Sequence, residues 1–171
     1  MKQACKRAFM ATAVLLVACG GPTQPGRAEV EAYLTAASKA QAVESFWQGG
    51  VAREQLFAVL TFSYLGQEPL VDFVSRRANV NDARKQVEEL EKTLRPRDES
   101  QSRLREALEV VKRELTLHDS HGYAYKYRIE SSTAGGQPIV KVWAIAVVPE
   151  KGRWLVAKLI DEQVDTGKGG T

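Results

Sequence analysis

The sequence predicts an α+β protein, with N-terminal helices that include an antiparallel helical hairpin, followed by a three-stranded antiparallel β-meander. Three observations carry that prediction. Up to about residue 117, apolar residues recur every three or four positions. From Tyr123 the period becomes two, with Tyr123, Tyr125, Tyr127 and Ile129 alternating with Ala124, Lys126, Arg128 and Glu130. The alternating runs are joined by short glycine-containing segments, 134–137 and 149–152, which suit antiparallel neighbours.

The elements follow in order. Val30, Tyr33, Ala37, Ala40, Val43 and Trp47 predict a helix over about 27–47, closed by Gly49-Gly50. A second helix is expected over 51–65, apolar nearly all round (Leu56, Phe57, Val59, Leu60, Phe62, Leu65). It must be buried or covered by a partner, with Gly66 as its C-terminal cap and Pro69 in the first turn of the next helix. That third helix is interrupted at Asn79-Val80-Asn81-Asp82, where asparagine is a good N-cap. Two stripes then make the hairpin, over about 80–117: Val80, Ala83, Val87, Leu90 and Leu94, then Leu104, Leu108, Val111 and Leu115. Pro96 separates them, and Asp98 with Gln101 reads as a reciprocal capping box. Each stripe is about two heptads long, so the hairpin needs further packing. The sheet is expected over about 123–162, with Ile139 to Val148 as its central strand because only Lys141 interrupts the apolar run.

The first 21 residues carry the most specific signal. Lys2, Lys6 and Arg7 precede an uncharged run from Ala8 to Ala18 that is too short for a membrane span. It ends in Leu16-Val17-Ala18-Cys19, which resembles the lipobox of bacterial lipoproteins. A thiolate readily forms a thioether, and Ala18 is small enough for a peptidase to close around the bond before Cys19. The resemblance implies a signal peptide over 1–18, cleavage between Ala18 and Cys19, and a diacylglyceryl thioether on Cys19, usually with an N-linked acyl chain. Membrane lipid is then a partner through acylated Cys19. In a Gram-negative cell, Gly20 after the cysteine implies the inner leaflet of the outer membrane. In a Gram-positive cell, the anchor sits in the outer leaflet of the single membrane.

Residues 19–27 then read as a lipidated tether, 28–163 as a single α+β domain and 164–171 as a disordered tail. The three basic residues of the signal are the whole excess of 24 basic over 21 acidic residues, so the chain from Cys19 onward is balanced and gives no support for a nucleic-acid partner. Cys5 leaves with the signal and Cys19 is taken by lipid, so no disulfide can form within the mature chain.

Chemistry-bearing residues are sparse. His118-Asp119-Ser120-His121 is the one cluster of catalytic residue types, and it reads as the exit turn of the last helix, with His118 at the negative helix end. A local His-x-x-His supplies too few ligands for a metal, and no cofactor motif is present. The acids Glu88, Glu89, Glu91, Glu106, Glu109 and Glu114 read as a solvated hairpin face paired with Lys85, Lys92, Lys112 and Arg113. Tyr125, Tyr127 and Trp143 are candidates for a sheet-side pocket or for core.

The opening helix "EVEAYLTAASKAQAVESF" and the closing hairpin "IVKVWAIAVVPEKGRWLVAKLIDE" are similar to nuclear transport factor 2-like (cystatin-like) domains, which implies a pocketed scaffold used for binding as often as for catalysis. The expectation is a non-enzymatic envelope lipoprotein that binds an envelope protein or a small apolar ligand. The alternatives are a hydrolase or isomerase using a sheet-side pocket, for which Asp161 and His121 are the candidate groups, and a spacer or chaperone acting through the hairpin.

Overall fold

The computed structural model describes residues 24–56, 58–95, 99–133 and 135–162. Ala18, Cys19, the Asp98 cap and the tail 164–171 lie outside the described residues. The helices are α1 (Arg27–Ser38), α2 (Leu70–Arg77), α3 (Val80–Thr93) and α4 (Ser102–Asp119), and the strands are β1 (Val59–Pro69), β2 (Tyr123–Ser132), β3 (Pro138–Glu150) and β4 (Arg153–Glu162). The strands form one antiparallel sheet in the order β1-β2-β3-β4.

The sheet therefore has four strands rather than three, and the additional one is β1, where a second helix is expected. Thr61-Phe62-Ser63-Tyr64 alternates polar and aromatic residues, and aromatic and β-branched side chains suit a pleated, half-buried surface. Phe62 and Tyr64 pack toward the core while Leu60, Thr61, Ser63 and Leu65 stay exposed. Gly66 lies within β1 opposite Lys126, next to a register shift at Leu65, and caps no helix. Pro69 ends β1 and occupies the N-cap of α2. It is tolerated there because β1 is an edge strand.

Helix α1 also stops nine residues short of Trp47. Ala40 takes a left-handed backbone (φ 51°), and the amides of Lys39 and Gln41 both donate to Ala36 O. The chain then turns without glycine, yet Val43 and Trp47 still enter the core.

The two faces of the sheet are packed differently. On one face Tyr125, Tyr127, Ile129, Ile145 and Val147 lie beneath Val30, Tyr33 and Leu34 of α1, with Trp47 and Leu56 beside them. On the other, Ala124, Ala144 and Ala146 leave room for Leu70, Phe73 and Val74 of α2 and Leu117 of α4. Residues Ala144 to Val148 are buried throughout, as a central strand requires, whereas Ile139 and Val140 run out into solvent.

Asn79 caps α3 as its sequence predicts, its side chain accepting from the Asp82 amide at 3.3 Å. The expected box of Asp98 with Gln101 needs Asp98, which lies outside the described residues; the Gln101 side-chain oxygen accepts from the Arg95 amide at 2.9 Å, just past the end of α3. Helices α3 and α4 are linked by Glu91–Lys112 (2.7 Å) and Arg84–Asp119 (2.5 Å), exposed ion pairs that add little stability. Their apolar stripes are unevenly buried. Leu108 is buried, Val87, Leu90, Leu94, Val111 and Leu115 are half-buried, and Leu104 is exposed. Leu108→Ala should therefore cost about 2–5 kcal/mol and Leu90→Ala roughly half as much. Denaturant unfolding of both variants checks this, and equal losses would contradict the asymmetry.

Candidate functional site

Of the three aromatic candidates, Tyr125 and Tyr127 are core, and Trp143 is partly buried against it. Tyr125 and Tyr127 are buried, and their rings meet Tyr64 with centroids 6.5 and 5.6 Å away. Tyr125 donates its hydroxyl to Pro25 O at 2.6 Å, and Tyr127 donates to Glu31 Oε1 at 3.3 Å. Burial pushes both phenols well above the usual tyrosine range. Trp143 stands opposite Tyr127 in the ladder, half-buried at the rim, with Lys141 Nζ 5.8 Å from its ring.

The His118–His121 segment is the exit turn of α4. Ser120 turns its hydroxyl back to donate to Leu117 O at 2.7 Å. His118 Nδ1 lies 2.8 Å from Asp119 Oδ1, and Arg84 approaches the same oxygen at 2.5 Å. The hydrogen bond from His118, reinforced by Arg84, holds the Asp119 carboxyl below its ordinary range. This turn borders a shallow cleft of about 440 Å³ with Pro69, Val71 and Tyr123. Asp161, on the far side, forms an ion pair with Lys141. Of the two candidate groups, His121 lies in the lining of this shallow cleft, and Asp161 stands opposite Trp143 in the sheet. No group of three or more His, Cys, Asp or Glu side chains is placed to hold a metal ion among the described residues.

A larger cleft, about 710 Å³, opens between α4, β4 and residues 48–54. Its walls follow from local structure. Val110, Arg113, Glu114 and Leu117 are spaced i, i+3, i+4 and i+7 and so share one face of α4. On β4 the register shifts so that Lys158 faces Ala146 and Val156 faces Val147, leaving Ala157 unpaired in a bulge that opens into the cleft. The third wall is pinned along the outer edge of β4 at two points. Trp47 makes a parallel bridge to Val156, and Glu54 accepts from the Leu159 amide at 2.8 Å.

The electrostatics of this cleft are specific. Glu114, expected on the solvated hairpin face, reaches across to pair with Lys158. Glu54 is occupied by the Leu159 amide. Arg113 donates its Nε to Glu109 O, and neither Arg53 nor Arg113 has a carboxylate partner among the described residues. Val110 is half exposed beside them, with Leu117 and Ala157 as apolar floor.

The chain matches no protein family, no curated protein and no solved structure. Its function is therefore argued from the site alone. Arg53, Glu54 and Lys158 escape a reading of the sequence because 51–65 has the apolar content of a helix, and nothing local joins that stretch to α4 or β4. Only the bulge at Ala157, a residue out of step with the alternation around it, leaves any trace.

Proposed function

We propose that this chain is an exported lipoprotein, held to a membrane by acyl chains on Cys19, whose domain is a non-enzymatic module that binds a protein partner in the α4/β4 cleft. The observation that carries the reading is Leu16-Val17-Ala18-Cys19 at the end of a short basic-then-apolar leader. With Gly20 following, the address in a Gram-negative cell is the inner leaflet of the outer membrane. The cleft supports the binding half. Of its carboxylates, Glu54 and Glu114 are tied to an amide and an ammonium group and Glu150 lies at the rim beside the β3–β4 turn, while Arg53 and Arg113 have no carboxylate partner among the described residues and can meet acidic groups beside the apolar Val110. The nuclear transport factor 2-like resemblance belongs to the same reading, since a helix laid on an antiparallel sheet is such a scaffold.

A second reading, contact through an antiparallel hairpin of α3 and α4, is favoured by one observation. Helix α3 has no fully buried residue, and Leu104 on α4 is 40% exposed.

Intact-mass measurement should find Cys19 as an acylated N-terminus, and Cys19→Ser should release or leave uncleaved the protein. An unmodified N-terminus would defeat the anchor. In pull-downs from detergent-solubilised envelope, Arg53→Glu with Arg113→Glu should reduce recovery of the partner roughly tenfold with unfolding unchanged. Undiminished recovery there, with loss in Leu104→Glu, would move the interface to the helices.

A further inference from the structure

The chain beyond the proposed anchor is fastened to one end of the sheet. Pro25 O accepts from the Tyr125 hydroxyl at 2.6 Å. Gly26 (φ 86°) lies against the Trp154 indole, where an added Cβ would be 3.0 Å from two ring carbons. The Arg27 guanidinium sits 4.0 Å from the centre of the Tyr64 ring. Six peptide steps separate Cys19 from Pro25, a reach of roughly 20 Å at full extension. An acylated Cys19 at the bilayer surface therefore keeps Trp154 and the turn before it close to the headgroups.

That turn has the side chains a headgroup surface takes. Lys151 and Gly152 both have positive φ (50° and 78°), the two-residue hairpin geometry, and it presents Lys151 and Arg153 to solvent. Neither makes an ion pair or a side-chain hydrogen bond among the described residues. Glu150, the acid of the turn, lines the α4/β4 cleft. Behind the two cations Trp154 is half-buried, with the Tyr123 ring 5.9 Å from it. Basic side chains backed by amphipathic aromatic rings are the composition of a membrane–water interface.

We propose that the β3–β4 turn is a second membrane contact, with Lys151 and Arg153 on anionic phospholipid headgroups and the sheet standing end-on, its β2–β3 turn pointing away from the bilayer. The proposal rests on acylation of Cys19 and adds an orientation to it. β3 contains 13 residues, so the two turns are separated by roughly 40 Å.

The test uses the full acylated protein in vesicles of phosphatidylcholine with or without phosphatidylglycerol, with acceptor dye on the headgroups. A donor is attached at His121→Cys, exposed at the near end, or at Gln137→Cys, exposed at the far end. With phosphatidylglycerol present, transfer from residue 121 should exceed that from 137 by roughly twofold or more, given the length of the strands between them. The difference should shrink clearly in Lys151→Glu/Arg153→Glu, and in the parent protein at high salt, where headgroup attraction is screened and only the Cys19 tether holds the near end. A difference unchanged by both would overturn the contact. Equal transfer from both sites on anionic vesicles, or greater transfer from 137, would overturn the orientation. Intact mass on the same preparation reads the anchor separately. Unacylated Cys19 overturns the lipoprotein reading and this contact with it, whereas acylated protein without orientation overturns the contact alone.

Discussion

Trp47→Ala should lower the unfolding free energy by about 3–5 kcal/mol, a loss in the range of a fully buried indole. Trp47 is 2% exposed and meets Tyr33 edge-on at 6.3 Å. Its backbone bridge to Val156 would survive the substitution, but the side chain that roots residues 48–54 against the core would not. The cleft wall should loosen as the fold weakens. Trp47→Phe separates packing from polarity. Trp47 Nε1 is buried with no hydrogen-bond partner among the described residues, so phenylalanine removes an uncompensated N–H while keeping most of the ring, and it should cost far less than alanine. Denaturant unfolding of the pair checks both statements. A Trp47→Ala variant within about 1 kcal/mol of the parent would show that the core between α1 and the sheet is not organised around this ring.

Gly122→Ala should cost about 3 kcal/mol or more, the upper end of what overpacking does. A Cβ at Gly122 would lie 2.3 Å from the Val147 carbonyl oxygen and 2.6 Å from Leu70 Cδ1. The Leu70 side chain can rotate, but the Val147 oxygen belongs to the central strand and cannot. Gly122 O also accepts from the Leu70 amide at 2.9 Å, so moving the segment away would break the contact that starts α2. Gly135→Ala is the control. Its nearest neighbour would be Thr133 Oγ1 at 3.8 Å, and the melting temperature should hardly move. Similar melting of the two variants would contradict the close packing at Gly122.

Strands β2, β3 and β4 and the boundary at Asn79 were legible in the sequence because their signals are local. Alternating tyrosines, a capping asparagine and a glycine-bearing turn each act within a few residues. The missed strand shows where local signals fail. Residues 51–65 as a whole have the apolar content of a helix, which outweighs the short alternation Thr61-Phe62-Ser63-Tyr64, and what completes the strand is the ladder to 127–131, far along the chain. The end of α1 was equally hidden, because a left-handed Ala40 leaves no compositional mark. The cleft was the least accessible of all. It brings together residues near 50, 113 and 158, and Glu114 and Lys158 read separately as surface charges until the fold makes them one ion pair.

The two margins of the sheet are unlike, and the difference sets an arithmetic limit. Along β4, the bridge from Trp47 and the carboxylate of Glu54 already hold backbone at Val156 and Leu159, so a further strand there would have to displace them. Along β1, Val59 to Pro69 pairs with β2 alone among the described residues, and Leu60 and Leu65 are more than half exposed. Chains that join edge to edge grow into fibres only when every copy offers two usable edges. Among the described residues, each copy offers one. Two chains meeting through β1 would use up both open edges at once, and the assembly would end as a pair.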